Sequence, residues 1–250
     1  MSKLLDAFNA NTGIICAVGA GGKKSTLYRL AREHPGRVGV TATSYTTFFP
    51  EELNALEIVA EAPELERRVL ASAGDGCVAY ARPGDKPARL RGVPTSLVGA
   101  LHREGGFDAT FVKADGARMR WLKSPRDDEP VIPEGATTVL MLASARALGE
   151  PLDERVALRL EQIHRVCGTR PGDILTPAHL AALFTNERAL LKGSEGCTVI
   201  PVINMVDDES RAALAEEAAW LALDRSDRFD RVVLACMKRD ADPLVKVVRR

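Results

Sequence analysis

The feature that most constrains this chain is a short apolar run, Gly13-Ile14-Ile15-Cys16-Ala17-Val18, that passes through a glycine turn into a helical stretch, Lys24 to Glu33. Isoleucine and valine favour extended backbone, whereas Leu27, Leu30 and Ala31 recur at the spacing of one helix face. A strand joined so tightly to a helix belongs in a βαβ unit, because parallel strands need a crossover and that crossover is usually helical. Arg37 to Thr41 (RVGVT) is the next strand.

The alternation continues along the chain. Ile58-Val59, Cys77 to Tyr80, Ala109 to Val112, Thr138 to Ala143, Val199 to Val206 and Arg231 to Ala235 read as strands. Pro63 to Ala73, Pro94 to Glu104, Leu152 to Cys167, Thr176 to Phe184 and Ser210 to Leu223 read as helices. The expected fold is α/β: a P-loop NTPase-like three-layer sandwich, with a mostly parallel sheet and helices on both faces. Residues 1–250 are read as a single nucleotide-binding domain, with a helical insertion at about 150–197. Residues 116–134 are rich in Arg, Lys, Asp and Pro without periodicity. A loop that long in a compact domain is functional or disordered.

Composition excludes several functions. Lys plus Arg equals Asp plus Glu at 34 each, which disfavours a general nucleic-acid or membrane-surface binder. No apolar run reaches the roughly 20 residues of a membrane helix, and MSKLLDAFNANTG lacks a signal-peptide core, so a cytoplasmic location is expected. Cys16, Cys77, Cys167, Cys197 and Cys236 are scattered and never form C-x-x-C, which suits small buried side chains in a reducing compartment.

The glycine turn reads Val18-Gly-Ala-Gly-Gly-Lys-Lys-Ser-Thr26. Glycines here turn backbone N–H groups inward, and the next helix adds the positive end of its dipole, so Gly19, Ala20, Gly21 and Gly22 are candidate phosphate contacts. The full G-x-x-x-x-G-K-[ST] pattern is not met, since Ala17 stands at its first position and Lys24 at its last. The shorter Gly19-x-x-Gly22-Lys23 is met, with Ser25 and Thr26 one and two places late. Lys23 would reach the β- and γ-phosphates. Ser25 is the candidate hydroxyl for a magnesium ion, unless Lys24 replaces part of the metal's charge. A plain glycine turn is the competing reading; the strand before it and the helix after it favour phosphate. A dinucleotide G-x-G-x-x-G is disfavoured by Lys24 at the third glycine position.

Other candidates lie at strand ends. Asp115 follows the strand at 109–112 and precedes a glycine, where nucleotide-hydrolysing folds place the carboxylate for Mg²⁺. Asn204-Met205-Val206-Asp207 has the N-x-x-D spacing of guanine-reading GTPases, with Met205 in place of the usual lysine; a strand-end turn explains it as well. Thr41 and Thr43 follow the second strand and offer hydroxyls to a phosphate or a metal's water. Arg118, Arg120, Lys123 and Arg126 sit in the long loop beside Asp127, Asp128 and Glu129, as a lid over phosphates or an anionic substrate would. No metal-ligand set and no nucleophile elbow is present in the sequence.

Four segments in order, GAGGKKST, VTATSYT, VKADGARMRWLKSPRDDEPVIP and INMVDD, resemble the YqeC family. Its members are described as accessory proteins of selenium-dependent molybdenum hydroxylases, or selenium-cofactor biosynthesis proteins. The resemblance spans roughly residues 10 to 240 and implies a P-loop-like, nucleotide-binding protein. It implies phosphate contacts at Gly19, Gly22 and Lys23, with Thr41 and Thr43 after the second strand. Catalytic roles fall on Lys23, Asp115, Arg118 and Lys123, and Glu129 joins Ser25 and Asp115 on the metal side. The chain departs from the family pattern twice: Lys24 replaces a usual threonine, and Lys113 a usual acidic residue. Both place a cation where a metal-side ligand is expected.

These readings converge on a protein that binds ATP or GTP with Mg²⁺ and acts in maturation or cofactor insertion of a selenium-dependent molybdenum hydroxylase, by phosphoryl transfer or hydrolysis. Its partners would be the nucleotide, a selenium or molybdenum cofactor precursor and a client hydroxylase, with no nucleic acid and no membrane. The alternatives are a non-catalytic, nucleotide-gated chaperone or cofactor carrier, and an α/β protein whose glycine turn holds no nucleotide.

Overall fold

A computed structural model describes residues 2–74 and 76–250. After a short helix α1 (Lys3–Ala7), strand β1 (Gly13–Gly19) runs into α2 (Lys23–Glu33), and β2 (Val38–Ala42) and β3 (Leu56–Val59) follow. Next come α3 (Ala62–Ala71), β4 (Cys77–Pro83), β5 (Leu90–Arg91), α4 (Thr95–Glu104) and β6 (Ala109–Lys113). Short β7 (Leu122–Lys123) precedes the long β8 (Ala136–Ser144), and short β9 (Ala157–Leu158) leads to α5 (Leu160–Cys167) and α6 (Pro177–Thr185). The chain closes with β10 (Thr198–Asn204), α7 (Glu209–Arg225), β11 (Arg231–Ala235) and β12 (Leu244–Arg249). The fold is α/β with a mostly parallel sheet, consistent with the three-layer sandwich expected from the sequence.

The chain divides into two compact units. The first comprises 1–17, 26–116 and 131–139; the second comprises 18–25, 117–130 and 140–250. The stretch at 150–197 falls within the second unit, where it carries β9, α5 and α6.

In the first unit the strand order is β8-β1-β6-β2-β4-β3. The β1/β6, β2/β6, β2/β4 and β3/β4 pairs are parallel. Ile14, Ile15, Val38, Val40, Tyr80 and Phe111 are all buried, as strands covered on both faces require. Gly39 in β2 fits against Tyr80 and Thr110, where a methyl group would press on both. The register Ala17↔Lys113 and Ala42↔Lys113 aligns the C-terminal ends of β1, β2 and β6. Open α/β sheets bind ligands at that end.

In the second unit the order β12-β11-β10-β8 is built from buried runs, Leu140–Ser144 and Val199–Asn204. Helix α7 buries Ala215, Ala218, Ala219, Ala222 and Leu223, a single face at helical spacing. Asp208 caps its start by accepting from the Arg211 N–H at 2.8 Å.

Three expectations change. The helix read from Leu152 begins only at Leu160. Before it, Asp153 Oδ1 accepts the N–H groups of Arg155 (2.8 Å) and Val156 (3.1 Å), while the Val156 carbonyl accepts those of Trp121 and Leu122. Ala157 and Leu158 pair in parallel with Leu122 and Lys123, so tertiary pairing diverts a sequence that has helical periodicity. Part of the long 116–134 loop is therefore strand. The strand read to Val206 ends at Asn204, because Met205 takes φ +61. Finally, β12 escapes sequence reading: it is an edge strand with five of its six residues charged or half-exposed, antiparallel to β11.

The N-terminus of α6 follows the sequence reading closely. Thr176 accepts from the His179 N–H, His179 Nδ1 accepts from the Thr176 N–H, and Pro177 opens the first turn. Thr176→Ala is expected to destabilise the protein by about 1 kcal/mol. In urea unfolding the midpoint should fall while the slope stays constant.

Candidate phosphate-binding site

The loop between β1 and α2 is shaped by its glycines. Gly19, Gly21 and Gly22 have φ of +86, +80 and +109, a region that other L-residues enter only at a cost. Space is also limiting: a methyl on Gly21 would lie 2.6 Å from the Ser144 nitrogen, and one on Gly22 would meet the Asn204 amide.

Three segments of the second unit brace this loop. The Ala20 N–H donates to the Leu142 carbonyl at 2.9 Å, and the Gly21 N–H donates to the Arg120 carbonyl at 3.3 Å. The Ser144 N–H donates to the Trp121 carbonyl at 3.0 Å, which ties those two supports together. The third support is Asn204, 2% exposed. Its Nδ2 donates to the Gly21 carbonyl at 2.8 Å, and its Oδ1 accepts from the Met237 N–H at 3.1 Å. Both ends of the side chain hold backbone.

Lys23, 5% exposed, donates through Nζ to the Gly19 carbonyl, so its ammonium lies back over the loop. Lys24 and Ser25 are half-buried on the first turn of α2. Burial lowers the Lys24 pKa from its ordinary value. Thr26, which is fully buried, belongs to the first unit.

Asp207 is set in a polar cluster. Arg146 donates to its Oδ2 through Nε at 2.7 Å and approaches it with Nη2 at 2.5 Å. The Cys236 thiol donates to Oδ1 at 3.2 Å, and Arg211 lies 3.7 Å from Oδ2. Burial pushes the Asp207 carboxyl up, but the hydrogen bonds from Arg146 and Cys236 and the charges of Arg146 and Arg211 outweigh it and hold it below the usual value. Ser144 links this cluster to the loop, since its hydroxyl donates to Met205 Sδ at 3.1 Å and accepts from the Arg146 N–H at 3.1 Å.

In the 117–130 segment, Lys123 is fully buried and its Nζ lies 2.7 Å from Glu129 Oε2. The Glu129 carboxylate also accepts from the Arg126 N–H at 3.3 Å. Lys192 donates to the carbonyls of Arg126 (2.6 Å) and Asp127 (2.8 Å), which fastens the segment to the rest of its unit. Arg118 is exposed, with φ +47.

The remaining candidates lie in the first unit. Asp115 is 2% exposed, just past β6. Thr41 Oγ1 donates to the Tyr80 carbonyl at 2.6 Å, and Thr43 Oγ1 donates to the Val131 carbonyl at 2.5 Å. Lys113 Nζ donates to Ser44 Oγ (2.8 Å) and the Tyr45 carbonyl (2.5 Å), so this lysine fastens the loop after β2. Among the described residues no group of three or more His, Cys, Asp or Glu side chains could hold a metal ion. Nor, among them, is any helix long and apolar enough to cross a membrane.

Sequence reading named the loop from Gly19 to Ser25 and, separately, Asn204, and the structure sets Gly21 and Gly22 of that loop against the Asn204 amide. It did not single out Ser144, Arg146 or the Arg120 carbonyl. One signal was available for Arg146: it comes three residues after the strand read at 138–143, a strand-end position like those of Asp115 and Asp207.

The model of the YqeC protein family matches residues 15–161. That is more than half of the chain, and it takes in the glycine loop, the Asp115 motif and Arg146. The chain belongs to the YqeC family. It is 26% identical over 222 residues to "Uncharacterized protein YqeC" of Escherichia coli strain K12, covering 83% of this chain and 86% of that protein. No solved structure matches. Asn204 and Asp207 lie beyond the part matched by the YqeC model.

Two outcomes are expected. Gly21→Ala should destabilise by more than Gly149→Ala, where φ is +84 but nothing lies within 4 Å of the added methyl. The left-handed backbone costs each about 1–2 kcal/mol, and thermal unfolding of the pair isolates the contact with Ser144. For Asp207, a depressed folded pKa gives stability that is present above the unfolded value of about 3.9 and lost as pH falls through the folded value. Arg146→Met should raise the Asp207 pKa in a carboxyl NMR titration and shrink that acid-side loss.

Proposed function

We propose that this protein binds a nucleoside triphosphate, ATP or GTP, through the loop at 19–24. The observation that carries this reading is the loop itself: three glycines with positive φ, packed too closely for side chains, placed between β1 and α2 with Lys23 folded over them. Backbone N–H groups and a helix N-terminus hold phosphate oxygens well, and a lysine neutralises the β- and γ-phosphates.

A Mg²⁺ ion carried by the nucleotide needs few protein oxygens. The Ser25 hydroxyl on the first turn of α2 suits that role, and Asp115 enters through the sequence motif. Glu129 suits it less, because its carboxylate faces Lys123. Magnesium would supply charge neutralisation on the phosphates when bound. The roles of Asp115, Arg118, Thr41 and Thr43 rest on the motif. So does participation in maturing a selenium-dependent molybdenum hydroxylase, with phosphoryl transfer or hydrolysis as the reaction. A nucleotide-gated carrier without turnover is favoured over catalysis by one observation: Lys24 occupies the position of the usual metal-side hydroxyl.

Binding and Mg²⁺-dependent turnover of ATP and GTP by the wild type, Lys23→Ala and Lys24→Thr test these readings. Lys23→Ala should weaken binding roughly 10- to 100-fold, the effect of losing a hydrogen bond to a charged group. Turnover gained in Lys24→Thr supports the carrier; turnover already present in the wild type supports the enzyme. A wild type that binds neither nucleotide refutes both.

A further inference from the structure

The N-x-x-D pair, Asn204 and Asp207, has side chains committed elsewhere than to a purine. Asn204 spends its amide on Gly21 and Met237, and Asp207 spends both oxygens, Oδ2 on Arg146 and Oδ1 on Cys236. What Asp207 holds in place is a guanidinium. The Arg146 side chain is 44% exposed, and Asp207 engages it only through Nε and Nη2. A guanidinium has five N–H donors, so its outer edge remains directed to other acceptors.

A chain of contacts runs from the backbone of this arginine to the loop. Arg146 N–H bonds the Ser144 hydroxyl, Ser144 bonds Met205, and the Met205 Cε lies 3.6 Å from where a Gly22 methyl would be. Met205 holds a left-handed backbone at φ +61, a strained conformation for a non-glycine residue. A second, independent observation concerns the segment that braces the loop. Arg120, whose carbonyl accepts from the Gly21 N–H, has its Nε buried without a hydrogen-bond partner. Buried donors are nearly always satisfied, and an anionic ligand is one way to satisfy this one.

We propose that Arg146, aligned by Asp207, is a second cationic contact for the polyphosphate of the ligand held by the 19–24 loop, and that Asn204 and Asp207 serve the loop and this arginine instead of selecting a base. This rests on the nucleotide-binding reading above. Arg146 is a binding residue, and Asp207 is a positioning residue that acts through it. The site then discriminates poorly between adenine and guanine.

Binding of MgATP, MgGTP and inorganic triphosphate is measured by calorimetry for the wild type, Arg146→Ala, Arg146→Lys and Asp207→Asn, with circular dichroism confirming each fold. Arg146→Ala should weaken all three probes roughly tenfold or more, the loss of a charge-assisted contact. Arg146→Lys should recover part of that loss, and Asp207→Asn should weaken ATP and GTP by the same factor. The wild type should bind ATP and GTP within about threefold of each other, and its affinity should fall more steeply with salt than that of Arg146→Ala. Unchanged affinity in a folded Arg146→Ala overturns the proposal, as does an Asp207→Asn loss confined to GTP. Triphosphate binding that depends on Arg146, without binding of either nucleotide, sustains this contact while refuting the nucleotide reading. A wild type that binds none of the three probes refutes both.

Discussion

The glycine loop between β1 and α2 depends on one buried amide. Gly21 and Gly22 hold left-handed backbone in a space with no room for side chains, and such a loop persists only where its surroundings over-determine it. Asn204 is the central support, since a single side chain fixes the Gly21 carbonyl on one side and the Met237 N–H on the other. A hydrogen bond of this kind contributes little net stability when made, but leaving either group unmet in the interior costs about 1–3 kcal/mol. Asn204 thereby links the glycine loop to β10 and to the turn after β11. The same residue ends β10, because the chain turns at Met205 to keep the amide in place.

Around that support the charges are arranged in pairs. Lys123 faces Glu129 in a buried setting, and Arg146 faces Asp207 in a half-open one. The difference in exposure separates their consequences. A buried pair holds its segment in register, since removing one partner strands the other charge. The open pair leaves an arginine edge in contact with solvent. Lys24 adds a further positive charge, although burial makes its ammonium less costly to neutralise than an exposed one.

Much of the fold was legible in the sequence because its signals were local. Strand–glycine–helix order at 13–33, the Thr176-Pro177 start of α6 and the buried runs at 138–144 and 199–204 each declare themselves within a few residues. Residues 152–159 did not, because their helical periodicity yields to pairing with Leu122 and Lys123, some thirty-five residues away. The candidate site divides the same way. The loop glycines and Lys23 follow a known spacing, whereas Arg146 is held by a carboxylate sixty-one residues distant. The N-x-x-D spacing was visible but its use was not, since spacing reports neither what a side chain faces nor how much of its bonding capacity is already taken.

The alanine face of α7 has a consequence of its own. Ala215, Ala218, Ala219 and Ala222 are fully buried, so the helix backbone packs with almost no side chain between it and its neighbours, chiefly α6 and β11. Volume, more than hydrophobicity, is then the restriction on those four positions: glycine or serine fits the gap, and leucine or phenylalanine does not. Neutral drift along this helix is channelled to its outer side, where Trp220 and the charged residues lie, while the inner side tolerates only exchanges among the smallest residues.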